Sequence, residues 1–371
     1  MTSADPERVV RATAAVGLPG VLPTEQGDRL VFTTSALNLV TGLRIEGLVQ
    51  RAVTTGLVEA PAPTNTDVEQ AWLAAVRRSL EAEWWAYETL EALDAAHVPA
   101  LVLKGIAIAH LDHDDPNERV FGDADVLIRR ADHGRALAGL TAAGFRRVEP
   151  PVHTWWERRF SKAVMLRTPS GGELDLHLSI TGGYFGERID HERLWARRAD
   201  TFDLGGRAAN ALDLEGRWLH ACCHAVLGGG SGLRALRDVA QLLLIRNVDW
   251  QRVVDEAVID GTDAVVAAAV RTTWEQLQLD PHHPAAQWAA GHAASPEQRR
   301  ALAAYRTANH EGWGAEGWST LRALNAVDKV RFLTGAAWPS SDNRRYRGRS
   351  RGDHLRAMWA TARSIVRRGV K

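Results

Sequence analysis

Between residues 68 and 96 the apolar side chains Trp72, Val76, Leu80, Trp84, Tyr87, Leu90 and Leu93 recur at intervals of three and four. That spacing keeps them on one side of a helix and predicts a long amphipathic helix over 68–96. The preceding Pro61-Ala62-Pro63-Thr64-Asn65-Thr66-Asp67 reads as a linker ending in a helix cap, with Thr66 or Asp67 as the capping residue. Beyond the helix the period changes. Residues 99–103 form a short apolar run that predicts a buried strand closed by Lys104-Gly105, followed by a short helix over 106–111. Residues 120–128 alternate as a strand, and 131–143 read as a helix stopped by Gly144. Residues 145–148, 163–167 and 173–178 are further strands, with Pro169-Ser170-Gly171-Gly172 as the turn before the last of them.

From residue 213 the pattern is helical almost throughout: 213–227, 233–246, 249–258, 262–278, 284–293, 296–309 and 354–368, with a glycine-rich break at 228–232 between the first two. Near the start, Val9, Val10, Leu37, Val40, Leu43, Ile45, Leu48 and Val49 give short apolar periods broken by Gly17-Leu18-Pro19-Gly20 and Gly42, a small helical region. No fixed-period repeat or low-complexity tract interrupts the chain. The expected class is α+β, with a small mixed sheet flanked by N-terminal and C-terminal helical regions. Its 371 residues allow two or three domains at about 100–200 residues each. The expected divisions are an N-terminal helical region over 1–65, the mixed domain over 66–200, and a C-terminal helical domain with a basic tail over 201–371.

Lys+Arg 45 balance Asp+Glu 45, which excludes a globally basic nucleic-acid binder and leaves room for a local basic patch. Such a patch lies at 343–371, where Arg344, Arg345, Arg347, Arg349, Arg351, Arg356, Arg363, Arg367, Arg368 and Lys371 face the single acid Asp353. A solvated charged face, an anionic partner and a membrane-surface helix are the readings open for it. No apolar run reaches the ~18–20 residues that span a bilayer. Asp5, Glu7 and Arg8 before a Gly/Pro-broken stretch match a signal peptide poorly. The two cysteines, Cys222 and Cys223, are neighbours on a helix. They cannot form a normal disulfide or supply a four-cysteine zinc site, so buried thiols in a reducing, cytoplasmic setting are expected. Trp72, Trp84, Trp85, Trp218, Trp274 and Trp359 all fall in helical segments, where packing is their default role.

The chemistry concentrates in two strands. Along Arg119-Val120-Phe121-Gly122-Asp123-Ala124-Asp125-Val126-Leu127-Ile128, alternation turns Asp123 and Asp125 to one face and Ala124, Val126 and Ile128 to the other. Side-by-side carboxylates repel unless a cation lies between them, and carboxylate oxygens suit Mg²⁺. In Glu173-Leu174-Asp175-Leu176-His177-Leu178 the device repeats, with Glu173, Asp175 and His177 on one face. If the strands are neighbours, Asp175 joins Asp123 and Asp125 in a site for one or two divalent ions, able to clamp a phosphoryl centre. The bland alternative is a solvated polar face. Leu103-Lys104-Gly105 ahead of a helix adds a phosphate-friendly turn, in which glycine admits the phosphate and lysine supplies a point charge.

These residues resemble the polymerase-β-type nucleotidyltransferase superfamily, and in detail its uncharacterised nucleotidyltransferase group. The shared pattern is Leu103-Lys104-Gly105, Arg119, Asp123-Ala124-Asp125-Val126-Leu127 and Asp175-Leu176-His177, continuing to His220, His224, Arg234 and Asp238. The resemblance implies a metal-dependent transfer of NMP from an NTP, ATP among them, to an acceptor hydroxyl with release of pyrophosphate. It implies that Asp123 and Asp125 bind Mg²⁺ (or Mn²⁺) with the NTP. It gives Asp175 the completion of the metal site, Lys104 and Gly105 the triphosphate, and Arg119 charge stabilisation or orientation of the aspartates. The superfamily usually has Gly-Ser or Gly-Gly after the first strand. Here Lys104 precedes the glycine, Ile106 follows it, and Asp123 lies eighteen positions beyond Gly105. A small molecule, a peptide, a protein and an RNA end are all open as acceptor.

In the helical half, His220 and His224 are i, i+4, a spacing used by zinc helices, but Ala221 stands where a metalloprotease needs glutamate. Hydrogen-bonded core or cleft histidines, a second metal site, and contacts to base or acceptor are the readings open for them. Arg234 and Asp238, also i, i+4, are expected to form an ion pair. Two rival functions follow: a metal-dependent phosphohydrolase using His220, His224 and Asp238, and a non-catalytic nucleotide- or partner-binding protein.

Overall fold

A computed structural model describes residues 5–21, 30–228, 232–311, 314–348 and 350–368. Gly229, Gly230 and Ser231 of the glycine-rich break, and Arg349 and Lys371 of the basic tail, lie outside the described residues. The elements run α1 Pro6–Ala14, α2 Thr34–Leu43, α3 Glu46–Thr54, α4 Thr64–Ala95, β1 Ala100–Val102, α5 Lys104–Asp112, β2 Ala124–Ile128, α6 His133–Ala142, β3 Arg146–Arg147, α7 Thr154–Phe160, β4 Ala163–Arg167 and β5 Glu173–His177. They continue with α8 Gly183–Gly186, α9 His191–Ala196, β6 Asp200–Leu204, β7 Arg207–Ala211, α10 Leu214–Leu227, α11 Leu233–Ala240, α12 Trp250–Asp260, α13 Asp263–Leu277, α14 Pro284–Gly291 and α15 Pro296–Glu311. The last are α16 Gly314–Ala323, α17 Ala326–Ala337, α18 Ser341–Tyr346 and α19 Arg351–Arg368. The fold is α+β with helices at both ends, as the pattern predicts. Among the described residues no helix is long and apolar enough to cross a membrane.

One seven-stranded sheet runs in the order β3-β4-β5-β2-β1-β7-β6. Central β2 pairs antiparallel with β1 and parallel with β5, in a register that sets Asp125 opposite Asp175 and Leu127 opposite His177. Alternation then assigns the faces. Val102, Ala124, Val126, Ile128, Leu174 and Leu176 face a core closed by Ala82, Ala86, Leu90 and Leu93 of α4 and Ala136 and Leu140 of α6. Leu101, Leu103 and Leu127 face a second core, built by helices from both ends of the chain: Val9 and Val10 of α1, Val49 of α3, Trp218 and Leu219 of α10, Leu236 of α11 and Val266 of α13. Arg237 of α11 is fully buried in that region. It donates to the carbonyls of Ala14 (2.9 Å) and Val16 (2.6 Å) and to Gln241 Oε1. Burial holds its guanidinium down to about 10, with Arg51 adding to the effect.

Several expectations need correction. Helix α4 begins at Thr64, because the amides of Thr66 and Asp67 already donate to the Pro63 carbonyl; Asp67 lies in the first turn rather than at the cap. It also buries a small-residue ridge, Ala75, Ser79, Ala82 and Ala86, while Leu80 and Trp84 are exposed. The small ridge lets the helix lie close on the sheet: a Cβ on Gly172 would fall 2.1 Å from Trp85. Residues 120–123 are not strand, since the Phe121 amide and carbonyl both bond the Ser79 hydroxyl of α4. The hairpin β6–β7 extends the sheet past the expected mixed region. Its turn residues Gly205 and Gly206 both have positive φ, +63° and +86°, which suits the two-residue turn of a hairpin. The segment 233–246 is α11 followed by one π turn over Gln241–Ile245. The unexpected α7 and α17 form a satellite core of Trp156, Phe160, Leu324 and Phe332. Cys222 and Cys223 are buried free thiols as expected. Trp218 and Trp274 are core residues, whereas Trp84 and Trp359 are exposed.

Candidate active site

The carboxylates of β2 and β5 and the start of α5 meet on the sheet face that looks toward α10. Strand β1 ends with the Leu103 amide donating to the Asp125 carbonyl at 2.9 Å, and the chain turns directly into α5. Lys104 takes that turn with φ +44°, a left-handed conformation that costs a non-glycine residue roughly 1 kcal/mol. Its Nζ then reaches Asp125 Oδ1 at 2.6 Å. The same oxygen lies 2.7 Å from His177 Nε2, while His177 Nδ1 lies 3.2 Å from the Ser179 carbonyl. Gly105 has a packing reason of its own: a Cβ there would fall 2.7 Å from Phe121 Cβ and 3.1 Å from Arg119 Nη1.

Asp125, Asp175 and His177 offer ligand atoms that all lie within 4.8 Å of one another, the one such group among the described residues. Asp125 and His177 are buried and Asp175 is half-buried. Asp123 stands outside this group, exposed at the approach to β2, where its charge reaches Arg119 and Arg234. Burial alone would raise the Asp125 carboxyl, but the Lys104 ammonium and His177 outweigh it and hold the group well below the usual carboxylate range. Asp175 moves the other way, pushed up by burial and by the charge of Asp125. His177 is lowered by burial and by the Lys104 charge. Ionised Asp125 beside Asp175 therefore forms a like-charge pair on which Lys104, Lys162 and His177 act.

A second layer fixes these groups. Arg119 spans to Asp238 on α11 with two bonds, 3.1 and 2.7 Å, and both side chains are buried. Asp238 is thereby committed to Arg119. The expected Arg234–Asp238 ion pair is not made; Arg119 takes both carboxylate oxygens, and Arg234 acts on Asp238 only through its charge. Arg234 keeps a buried Nη1 with no hydrogen-bond partner, and burial with Arg119 nearby brings it down to about 10. Arg217 of α10 grips Asp112 with two bonds of 2.9 Å, and Gln241 Nε2 donates to the Asp112 carbonyl, anchoring the end of α5.

His220 and His224 line a small cavity with Lys104 and Asp238. His220 sits edge-on to His177, ring centres 6.5 Å apart, fully buried with Nε2 unpartnered. Burial, followed by the Lys104 charge, lowers His220 far below the usual histidine range and takes His224 down to about 4. The structure therefore gathers Lys104, Asp125, Asp175 and His177 directly. His220 and His224 share the small cavity with Lys104, Arg119 and Asp238 act as a brace, Asp123 is exposed, and Arg234 is half-buried near Arg119 and Asp238. Sequence reasoning missed Lys162, whose charge acts on Asp175, His177 and His220. Its position just before β4, which pairs with β5 at His177, was the available signal. Arg44, in left-handed conformation at the end of α2 with Nη1 near Gly122, gave no sequence signal.

The profile of the family described as uncharacterised nucleotidyltransferase matches residues 34–273. No curated protein matches the chain. Among solved structures, an antigenic nucleotidyltransferase-like protein from Paracoccidioides brasiliensis is similar at 16% identity and a TM-score of 0.31, over 52% of this chain and 93% of that one.

Proposed function

This chain belongs to the uncharacterised nucleotidyltransferase family, and on that premise we propose that it transfers a nucleoside monophosphate from an NTP to an acceptor hydroxyl. The acceptor oxygen forms a bond to the α-phosphorus. The bond from that phosphorus to the β-bridging oxygen breaks, and pyrophosphate leaves. The observation that carries the reading is the register of β2 on β5, which sets Asp125 beside Asp175 at the mouth of the Lys104 turn.

The donor set fits divalent ions: a stand-in cation, the Lys104 ammonium, already rests on Asp125, and two carboxylates and an imidazole offer ligand atoms within 4.8 Å of one another. Mg²⁺ or Mn²⁺ held by Asp123, Asp125 and Asp175 would neutralise the triphosphate and the departing pyrophosphate. Lys104, released from Asp125 by such an ion, would supply its charge to the triphosphate at the start of α5. Asp175, with its carboxyl raised by burial and by Asp125, suits acceptance of the proton from the attacking hydroxyl. Arg119, fixed in place by Asp238, sets a guanidinium whose charge reaches Asp123 and Asp125. Positioning and charge neutralisation are what this transfer asks of a protein. The phosphohydrolase reading draws less support, because Asp238 gives both oxygens to Arg119.

The test is incubation with α-labelled NTPs, Mg²⁺ or Mn²⁺ and a cell extract as acceptor source. Label transfer and pyrophosphate release are expected, falling by roughly 100-fold or more in Asp125→Asn, the scale of one lost electrostatic group at a reacting centre. Transfer that survives this substitution, or label that moves only when the NTP is labelled at the γ-position instead, would refute the reading.

A further inference from the structure

The two nitrogens of His177 face two different acceptors, a backbone carbonyl and a carboxylate. Nδ1 faces the Ser179 carbonyl at 3.2 Å and Nε2 faces Asp125 Oδ1 at 2.7 Å. Both neighbours are acceptors, and a neutral imidazole has a single N–H. The Ser179 carbonyl has no other role toward the ring than to accept from Nδ1. With Nδ1 as that donor, Nε2 is the ring nitrogen free to ligate a cation that takes the place of the proton between it and the Asp125 oxygen. A backbone carbonyl fixing one ring nitrogen while the other meets carboxylates is the arrangement of a histidine prepared to ligate a metal. The Ser179 peptide is itself restrained, since its hydroxyl donates to the Thr181 carbonyl at 2.7 Å. Asp175 completes a set of two oxygens and one nitrogen within 4.8 Å.

We infer that Asp125, Asp175 and His177 hold one divalent ion directly, with His177 Nε2 as a nitrogen ligand, and that the site therefore prefers a first-row transition ion such as Mn²⁺ to Mg²⁺. Mg²⁺ keeps to oxygen donors and retains its waters, whereas imidazole suits the transition ions. Asp123, outside the group, is left for the ion that arrives with the nucleotide. The inference rests on the transfer reading in taking this face of the sheet as the reaction centre.

The experiment uses the full chain, Mn²⁺ as the probe, and inorganic tripolyphosphate in place of a nucleotide so that protein supplies the only nitrogen. Pulsed electron paramagnetic resonance on protein made with ¹⁴N- or ¹⁵N-histidine should show a directly coupled histidine nitrogen that changes with the isotope. His177→Gln should lose that coupling and weaken Mn²⁺ by roughly tenfold or more, given that even outer-shell partners of a ligand are worth that much. Mg²⁺, measured by competition, should be less affected, and His220→Gln should keep the coupling. Bound Mn²⁺ with no histidine coupling in the unsubstituted protein overturns the inference without needing a variant to fold, as does a coupling that persists in His177→Gln. Nucleotidyl transfer with an all-oxygen ion sphere overturns this inference and leaves the transfer reading standing. A histidine-bound ion without transfer does the reverse.

Discussion

Substituting Lys104 by methionine keeps the stem of the side chain and removes the ammonium. In the metal-free protein that ammonium lies 2.6 Å from Asp125 Oδ1, with the two side chains 15% and 3% exposed. At an effective dielectric near 20 the gross attraction is about 6 kcal/mol, most of it offset by the desolvation of two buried charges. Removing one partner leaves Asp125 buried without its cation, a change that costs about 3–5 kcal/mol in comparable pairs. His177 can take a second proton and serve the same oxygen, so about 3 kcal/mol is the expected loss. Equilibrium denaturation in EDTA measures it, and a cycle with Asp125→Asn isolates it. In the Lys104→Met background, Asp125→Asn should cost little or nothing, giving a coupling of about 2–3 kcal/mol. The pH dependence has a definite sign. Asp125 has its folded pKa below the unfolded value of about 3.9, so its contribution is complete above that value and is lost as pH falls through the folded one. Lys104→Met should flatten that acid-side loss. A cost under about 1 kcal/mol, or additive single substitutions, would mean that the pair contributes no coupling energy and that Lys104 does not stand in for a cation.

Arg119→Met should cost about 3–5 kcal/mol by stranding Asp238 in the interior, and Asp238→Leu on top of it should restore most of the loss; a stable single variant in denaturant titrations would contradict the brace. His224, with its pKa taken down to about 4, should remain neutral at pH 6 by ¹⁵N-imidazole NMR. Because its folded pKa lies below the unfolded value of about 6.5, unfolding should become easier by up to about 3 kcal/mol as pH falls from 6.5 toward 4 and change no further below that; a midpoint near 6.5 would count against its burial.

The alternation at Asp123–Ile128 and Glu173–Leu178 made the faces of β2 and β5 readable, because a buried strand tolerates polar groups on only one side. The helix expected over 213–227 is α10, with Asp213 as its cap accepting from the Gly216 amide. What stayed hidden was pairing across long separations. Arg234, four residues from Asp238, looked like its partner, yet Arg119 reaches it from 119 positions away with a better fork. The helical period of α4 marked the helix correctly and its buried side wrongly. Large apolar residues set the predicted face, but closeness to the sheet selected alanine and serine. The Gly205-Gly206 hairpin carried a readable turn signal between weakly alternating strands. Lys104 read as a point charge for a phosphate, and no pattern could show that it turns inward onto Asp125.

The family match starts at residue 34, but the peptide oxygens that hold Arg237 belong to Ala14 and Val16. Arg237 is the immediate neighbour of Asp238, which grips Arg119. The leading helix is thus a keystone rather than an appendage. A version trimmed to the matched boundaries would take two carbonyl acceptors from a buried guanidinium one residue from the Arg119–Asp238 brace, so chain left out for convenience would be felt at the candidate aspartates.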